Sequence, residues 1–190
     1  MSLAVDDYRR RGDTGALVAA LAALAERAEP SELAAAAAPY SDVPEVVAPI
    51  YERIVARGAG SAAADAQAAV VLANAYWLLG RGPEAVGALA SRAISVDPAN
   101  RGAWHLWALS EPDLRSRVER WRHVAQRFPA DELALALLAD NAASLAGAEQ
   151  DPLALALAIE TYERLRAAAR LPEQRAALER ALETLRAWKL

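Results

Sequence analysis

The side chains best suited to chemistry are sparse in this chain, and its two histidines, His105 and His123, show why. They do not form the H-x-x-x-H or a similar spacing that would let both bind one metal ion. The chain has no cysteine, which excludes disulfides, thiolate nucleophiles and Cys-based metal sites. No serine lies in a G-x-S-x-G motif. We therefore expect no catalytic residues, no metal site and no enzyme activity.

Two glycine-containing segments match the loose pattern G-x-G-x-x-A, namely GRGPEA from Gly80 and GAGSAA from Gly58. A dinucleotide site requires a strand before the glycines, so that the phosphate meets the N-terminus of the following helix. Both segments instead follow sequence with helical periodicity. Lys189 is the only lysine and lies near the end, which excludes a Walker-type phosphate loop. We interpret both segments as turns between helices and expect no cofactor.

Arginines crowd one predicted helix and could form a basic face for an acidic protein or a nucleic acid. They are Arg115, Arg117, Arg120, Arg122 and Arg127. Arginine stems can equally cover the flanks of apolar residues such as Trp121 and Phe128. No aromatic residue stands clear among these charges to stack on bases, and the formal net charge of the chain is −4. We favour a solvated helix face, and a nucleic-acid partner is the lesser hypothesis.

The elements that carry these residues are predicted to be helices throughout. The chain is rich in alanine, and its glycines and prolines fall mostly between segments of helical periodicity. One such segment begins at Pro44 and ends at Arg57, with Val47, Ile50 and Ile54 at helical spacing. The periodicity predicts an all-α fold.

The stretch 66–100 contains a pattern that defines two short helices joined by a turn. Its members are Leu72-Ala73, Tyr76, the turn glycine Gly80, the small residue Ala85, Leu89 and the closing pair Asp97-Pro98. This stretch resembles the tetratricopeptide repeat, a helix–turn–helix unit of about 34 residues. In that resemblance Ala85 is the small residue at which the two helices cross. Its second helix carries one residue more than the pattern, which predicts a bulge or a shifted register.

The pattern returns downstream, where LADNA at Leu138–Ala142 repeats LANA at Leu72–Ala75 and Gly147 occupies the place of Gly80. The resemblance implies about three repeats within residues 61–170, at 66–100, 101–132 and 133–170. Residues 1–60 are expected to form helical hairpins that cap them as a degenerate repeat, and residues 171–190 a C-terminal capping helix. The resemblance further implies one continuous right-handed superhelix of antiparallel helix pairs, with a connection at Ala148–Pro152 in the third repeat.

In this family the first helix of each repeat lines a concave groove that holds a segment of a partner. Carried over by position, the groove residues are Gln67, Val70, Asn74, Trp77, His105, Leu109, Leu137 and Asn141. An exposed Trp77 would supply a burial anchor, while Asn74 and Asn141 would bind the partner's main chain.

The resemblance leads us to expect a non-catalytic protein–protein interaction module or scaffold that binds a peptide or helix. The alternatives are a regulator that uses the arginine-rich helix to bind nucleic acid or an acidic partner, and a self-association module. The first 13 residues lack an apolar run before a cleavage site, and no uncharged apolar stretch of about 20 residues is present. We expect a cytoplasmic protein without a membrane partner.

Overall fold

A computed structural model describes residues 2–12 and 14–189. The described residues form eleven α-helices and no strand, which confirms the all-α prediction. The helices are α1 (Ser2–Arg11), α2 (Thr14–Arg27), α3 (Pro30–Ala37), α4 (Pro44–Arg57), α5 (Ala62–Leu78), α6 (Pro83–Val96), α7 (Arg101–Leu109), α8 (Leu114–Arg127), α9 (Glu132–Glu149), α10 (Pro152–Ala168) and α11 (Pro172–Arg186), with a 3-10 turn at Ala38–Tyr40 between α3 and α4.

The chain divides into two compact units, Met1–Ser110 and Glu111–Leu190. In the first unit α3 packs on α4, α4 on α5, α5 on α6 and α6 on α7. In the second, α8 packs on α9, α9 on α10 and α10 on α11. The boundary falls within residues 101–132, so the segment expected to be the second repeat contributes α7 to one unit and α8 to the other.

Helices α1 to α4 share one apolar core in the N-terminal part of the first unit. Its almost fully buried members are Val5, Leu17, Leu33, Val46, Ile50 and Ile54. Burial of one such side chain stabilises the fold by about 1.5–3 kcal/mol. At the far end of α4, the Arg57 guanidinium donates to the carbonyls of Ala25 and Ala28, both at 3.0 Å. The end of α2 is thereby tied to the end of α4, immediately before α3 begins.

The turn between α5 and α6 has the geometry that the sequence predicts. Gly80 adopts φ +66°, a left-handed conformation that costs glycine little. The N–H of Arg81 donates to the carbonyl of Tyr76 at 2.9 Å, which satisfies one of the last carbonyls of α5. Pro83 then occupies the first position of α6, where its missing N–H is no loss.

Helix α6 places alanines against α5 and α7, but in a different register from the expected one. Ala90 and Ala93 are fully buried, and Ala90 lies in one cluster with Ala73, Val86 and Leu106. Ala85, the expected crossing residue, is only half-buried. Helix α6 is continuous and absorbs its extra residue without a bulge. Because each residue turns a helix by about 100°, the extra one moves the contact away from Ala85.

The expected turn at Gly147 is wrong, because α9 continues through this residue to Glu149. Gln150, at φ +54°, takes the left-handed position instead, and Asp151 caps α10 directly after it. Gly147 meets the ring of Trp188, and a Cβ added to it would lie 3.4 Å from Cη2 of that ring. This glycine therefore leaves room for an aromatic side chain and does not form the turn.

The contact at Ala90 predicts a difference between two leucine substitutions. Ala90→Leu should lower the free energy of unfolding by about 1–3 kcal/mol, because a larger side chain overpacks a closed contact between helices. Ala85→Leu, at a half-buried position of the same helix, should cost clearly less. Urea unfolding followed by circular dichroism measures both, and equal losses would contradict the observed register.

Candidate functional site

A cavity of about 290 Å³ lies between α3 and α5, both of which pack on α4. Its walls are Ala37, Ala38 and Ser41 on one side, Val70, Val71, Asn74, Ala75 and Leu78 on the other, with Pro44, Val47 and Tyr51 between them. We call it the Asn74 cavity. It lies entirely within the first unit and combines the expected groove helix α5 with the N-terminal helices.

A second cavity, of about 340 Å³, lies farther along the same three helices. Its walls are Pro30, Ser31, Ala34, Tyr51, Ile54, Ala59, Ala64, Gln67 and Ala68. We call it the Gln67 cavity. Tyr51 lines both cavities, so they form two parts of one furrow, which we name the α3–α5 trough.

Three of the four groove residues predicted on α5 line this trough. Val70 and Asn74 belong to the Asn74 cavity, and Gln67 to the other. Trp77 lines neither cavity, but its side chain is 41% exposed and it directly precedes Leu78, which does line one. An exposed tryptophan and an exposed leucine thus extend the apolar surface at the C-terminal end of α5.

Local sequence sets the ends of the helices that form the trough. Pro30 begins α3, and a reciprocal pair of hydrogen bonds between Glu29 and Glu32 closes its first turn. Ser61 caps α5 by accepting a hydrogen bond from the N–H of Ala64. A carboxylate oxygen of Asp65 accepts from the N–H of Ala59 and fixes the loop that leads into α5.

The trough combines an apolar lining with a few neutral polar groups. Among the described residues, the Asn74 amide and the Tyr51 hydroxyl have no hydrogen-bond partner. Burial raises the pKa of Tyr51, so its hydroxyl is a proton donor at neutral pH. Of the described residues that line the two cavities, none carries a formal charge. Such a surface suits an uncharged, largely apolar segment with some main-chain or hydroxyl groups to hydrogen-bond.

His105 and Leu109 lie on α7, and both are half-buried. The start of this helix approaches α5, since a Cβ added to Gly102 would lie 3.4 Å from a methyl carbon of Val70. The ring of Trp104 meets that of Trp107 edge-on at 5.5 Å, and its indole N–H donates to the Pro98 carbonyl at 3.0 Å. The two groove residues of α7 therefore lie on a helix fixed by aromatic contacts.

The remaining two groove residues, Leu137 and Asn141, lie on α9 in the second unit. The amide of Asn141 is bonded at both ends within its own unit. Its oxygen accepts from Arg117 Nε at 2.9 Å, and its nitrogen donates to the Leu137 carbonyl at 2.7 Å. The two asparagines predicted to act alike thus differ, because only the Asn74 amide is open to a ligand.

The five arginines of α8 have contacts within the second unit. Arg115 pairs with Glu149 at 2.5 Å and with Asp151 at 3.0 Å, and Arg120 pairs with Glu111 at 2.5 Å. Arg122 pairs with Glu119, while Arg117 donates to Asn141 and to the Glu111 carbonyl. The guanidinium of Arg127 lies 5.7 Å from the ring centre of Phe128. Nearby carboxylates therefore offset much of the positive charge expected on this face.

Sequence reasoning missed the wall and floor of the trough that come from α3, α4 and the 3-10 turn. Ala37, Ala38 and Ser41 carry no pattern that distinguishes them from other residues of an alanine-rich helix. The one available signal was Tyr51, a large aromatic residue on the apolar face of α4.

No protein-family model matches the chain, and a search of curated proteins finds no relative. Within the described part of the chain, no helix combines the length and apolarity needed to cross a membrane. No group of three or more metal-ligating side chains occurs in residues 2–12 and 14–189.

The contacts of Asp151 predict how one arginine pair of α8 depends on pH. Asp151 accepts hydrogen bonds from the N–H groups of Ala154 and Leu153 and pairs with Arg115. The bond from Ala154, followed by that from Arg115, holds the pKa of Asp151 below its ordinary value of 3.8. Because the folded pKa is the lower one, this carboxylate stabilises the fold above about pH 4, and the contribution is lost as pH falls through the folded pKa.

Asp151→Asn keeps a capping side chain but removes the titrating group. We expect its thermal midpoint to fall less than that of the wild type when the pH drops below about 4. Glu183→Gln, at an exposed position of α11, is the matched control and should leave the acid-side profile unchanged. The same acid-side fall in Asp151→Asn and wild type would show that this pair contributes nothing.

Proposed function

We propose that this chain is a non-catalytic protein-interaction module that binds a segment of another protein in the α3–α5 trough. The observation that carries the proposal is the trough itself, an open apolar furrow in which Asn74 and Tyr51 are not bonded to other described residues. Buried apolar contacts supply affinity, and a few neutral hydrogen-bonding groups supply orientation.

We further propose that the helix pairs form a right-handed superhelix of the tetratricopeptide type. The left-handed Gly80, the Pro83 start of α6 and the packing of successive helices within each unit support this architecture. A cytoplasmic scaffold that presents its grooves to partner proteins is the role this architecture suits.

The contacts of the arginines favour a protein partner over a nucleic acid. Phosphate binding requires cations that are free to replace counterions along the nucleic-acid backbone. Four of the five arginines on α8 are held by a carboxylate, an amide or a carbonyl of their own unit. A phosphate would have to compete with these contacts.

Peptides selected from a displayed random library against the wild-type protein test the proposal. Trp77→Ala should weaken binding of the selected peptides by about 2 kcal/mol or more, as truncation of an exposed aromatic anchor does. Asn74→Ala should cost about 1 kcal/mol for a lost hydrogen bond. Isothermal titration calorimetry measures both affinities, and circular dichroism verifies that the helicity is unchanged.

Arg120→Ala is the control on the other unit and should leave peptide affinity unchanged. Raising the salt concentration should also have little effect, since the trough is uncharged. Loss of binding at Arg120 together with retention at Trp77, or a steep salt dependence, would move the functional surface to α8 and contradict the proposal.

A further inference from the structure

The two cavities of the α3–α5 trough repeat at a regular interval, which constrains the shape of its ligand. Along α5, the residues that line the Asn74 cavity and those that line the Gln67 cavity are centred about seven residues apart, or about 11 Å. The α3 side shows the same interval, since Pro30, Ser31 and Ala34 line one cavity and Ala37, Ala38 and Ser41 the other.

From this spacing we infer that the trough binds an amphipathic α-helix of a partner protein, which inserts two large apolar side chains seven residues apart. This inference rests on the proposed function and specifies its ligand. In a helix, residues i and i+7 lie on the same face about 10.5 Å apart, which matches the interval between the cavities.

An extended segment fits this interval less well. Its residues advance about 3.3 Å each and alternate between faces, so side chains on one face are about 6.6 or 13 Å apart. A polyproline II segment repeats its face after about 9 Å, which also falls short of the interval. Of the three conformations, the helix matches both cavities at once.

Tyr51 determines what the ligand must present between its two anchors. Because Tyr51 lines both cavities, the partner helix needs a small residue such as alanine, glycine or serine at i+3 or i+4. The hydroxyl of Tyr51, which has no partner among the described residues, can donate to a serine or to a main-chain carbonyl at this point.

The lining also determines the charge of the ligand face. Of the described residues that line the cavities, all are uncharged, so a charged side chain inserted there would lose its hydration without gaining an opposite charge. The contact face of the partner helix is therefore neutral, and its charged residues lie on the opposite face.

Two displayed peptide libraries test this inference. Both contain peptides of about 15 residues, which as a helix span about 21 Å, the length of α5 from Ala64 to Leu78. One library has a helix-favouring alanine-rich framework, and the other has prolines at fixed positions that prevent a helix. We expect the helical library to enrich two large apolar residues seven apart with a small residue between them.

Cavity-filling variants identify where the enriched peptides bind. Ala38→Leu in the Asn74 cavity and Ala34→Leu in the Gln67 cavity should each reduce affinity about tenfold or more, because leucine occupies the space of an anchor. Ala35→Leu, at an exposed position of α3 outside both cavities, is the matched control and should change affinity less than about twofold. Circular dichroism verifies the fold of each variant.

The outcomes separate this inference from the proposed function. Binders sensitive to Ala38→Leu that come only from the proline-containing library would overturn the helical ligand while leaving a peptide-binding trough. Failure of both libraries to produce binders that Ala38→Leu or Ala34→Leu weakens would overturn the trough as a binding site and, with it, the proposed function.

Discussion

Burial of α4 is the constraint on which the candidate site depends. The inner face of this helix, with Val46, Ile50 and Ile54, lies in the core shared with α1 to α3. Val47 and Ala48 pack instead with Leu72 and Ala75 of α5. Because α4 contacts α3 on one side and α5 on another, it holds these two helices apart and forms the floor between them. The trough is the space that two helices leave when both pack on a third.

Small side chains make this arrangement close-packed in the first unit. Ala66, Ala69, Ala93 and Ala103 form one fully buried cluster, so α5, α6 and α7 approach with little between them except methyl groups. Alanine loses almost no side-chain entropy on folding but buries little apolar area, so many close contacts replace a few large ones. The large side chains are instead placed at the edges of the helix pairs, where Trp77 and Leu78 remain exposed.

The second unit uses polar contacts between helices in addition to its apolar core. Arg117 joins α8 to Asn141 of α9, and Arg115 joins α8 to the turn between α9 and α10. Tyr162 donates to Asp140, which joins α10 to α9, and desolvation followed by this bond raises the pKa of Tyr162. The polar groups that the sequence offered as a binding face here serve the fold of the unit.

The sequence by itself determined the helices, because helix starts and ends depend on neighbouring residues. Helix α4 begins and ends at the residues expected from Pro44 and the periodicity up to Arg57, and the turn at Gly80 needs only a glycine that tolerates positive φ. The same local logic placed Val70 and Asn74 on one face of α5. Tertiary structure alone decided which partners those faces meet. Gly147 lies inside α9 because Trp188, about 40 residues later, packs against it, and the wall opposite Asn74 is built from residues 37–41. Contacts between residues so far apart in sequence depend on how helices pack, and no local pattern records that packing.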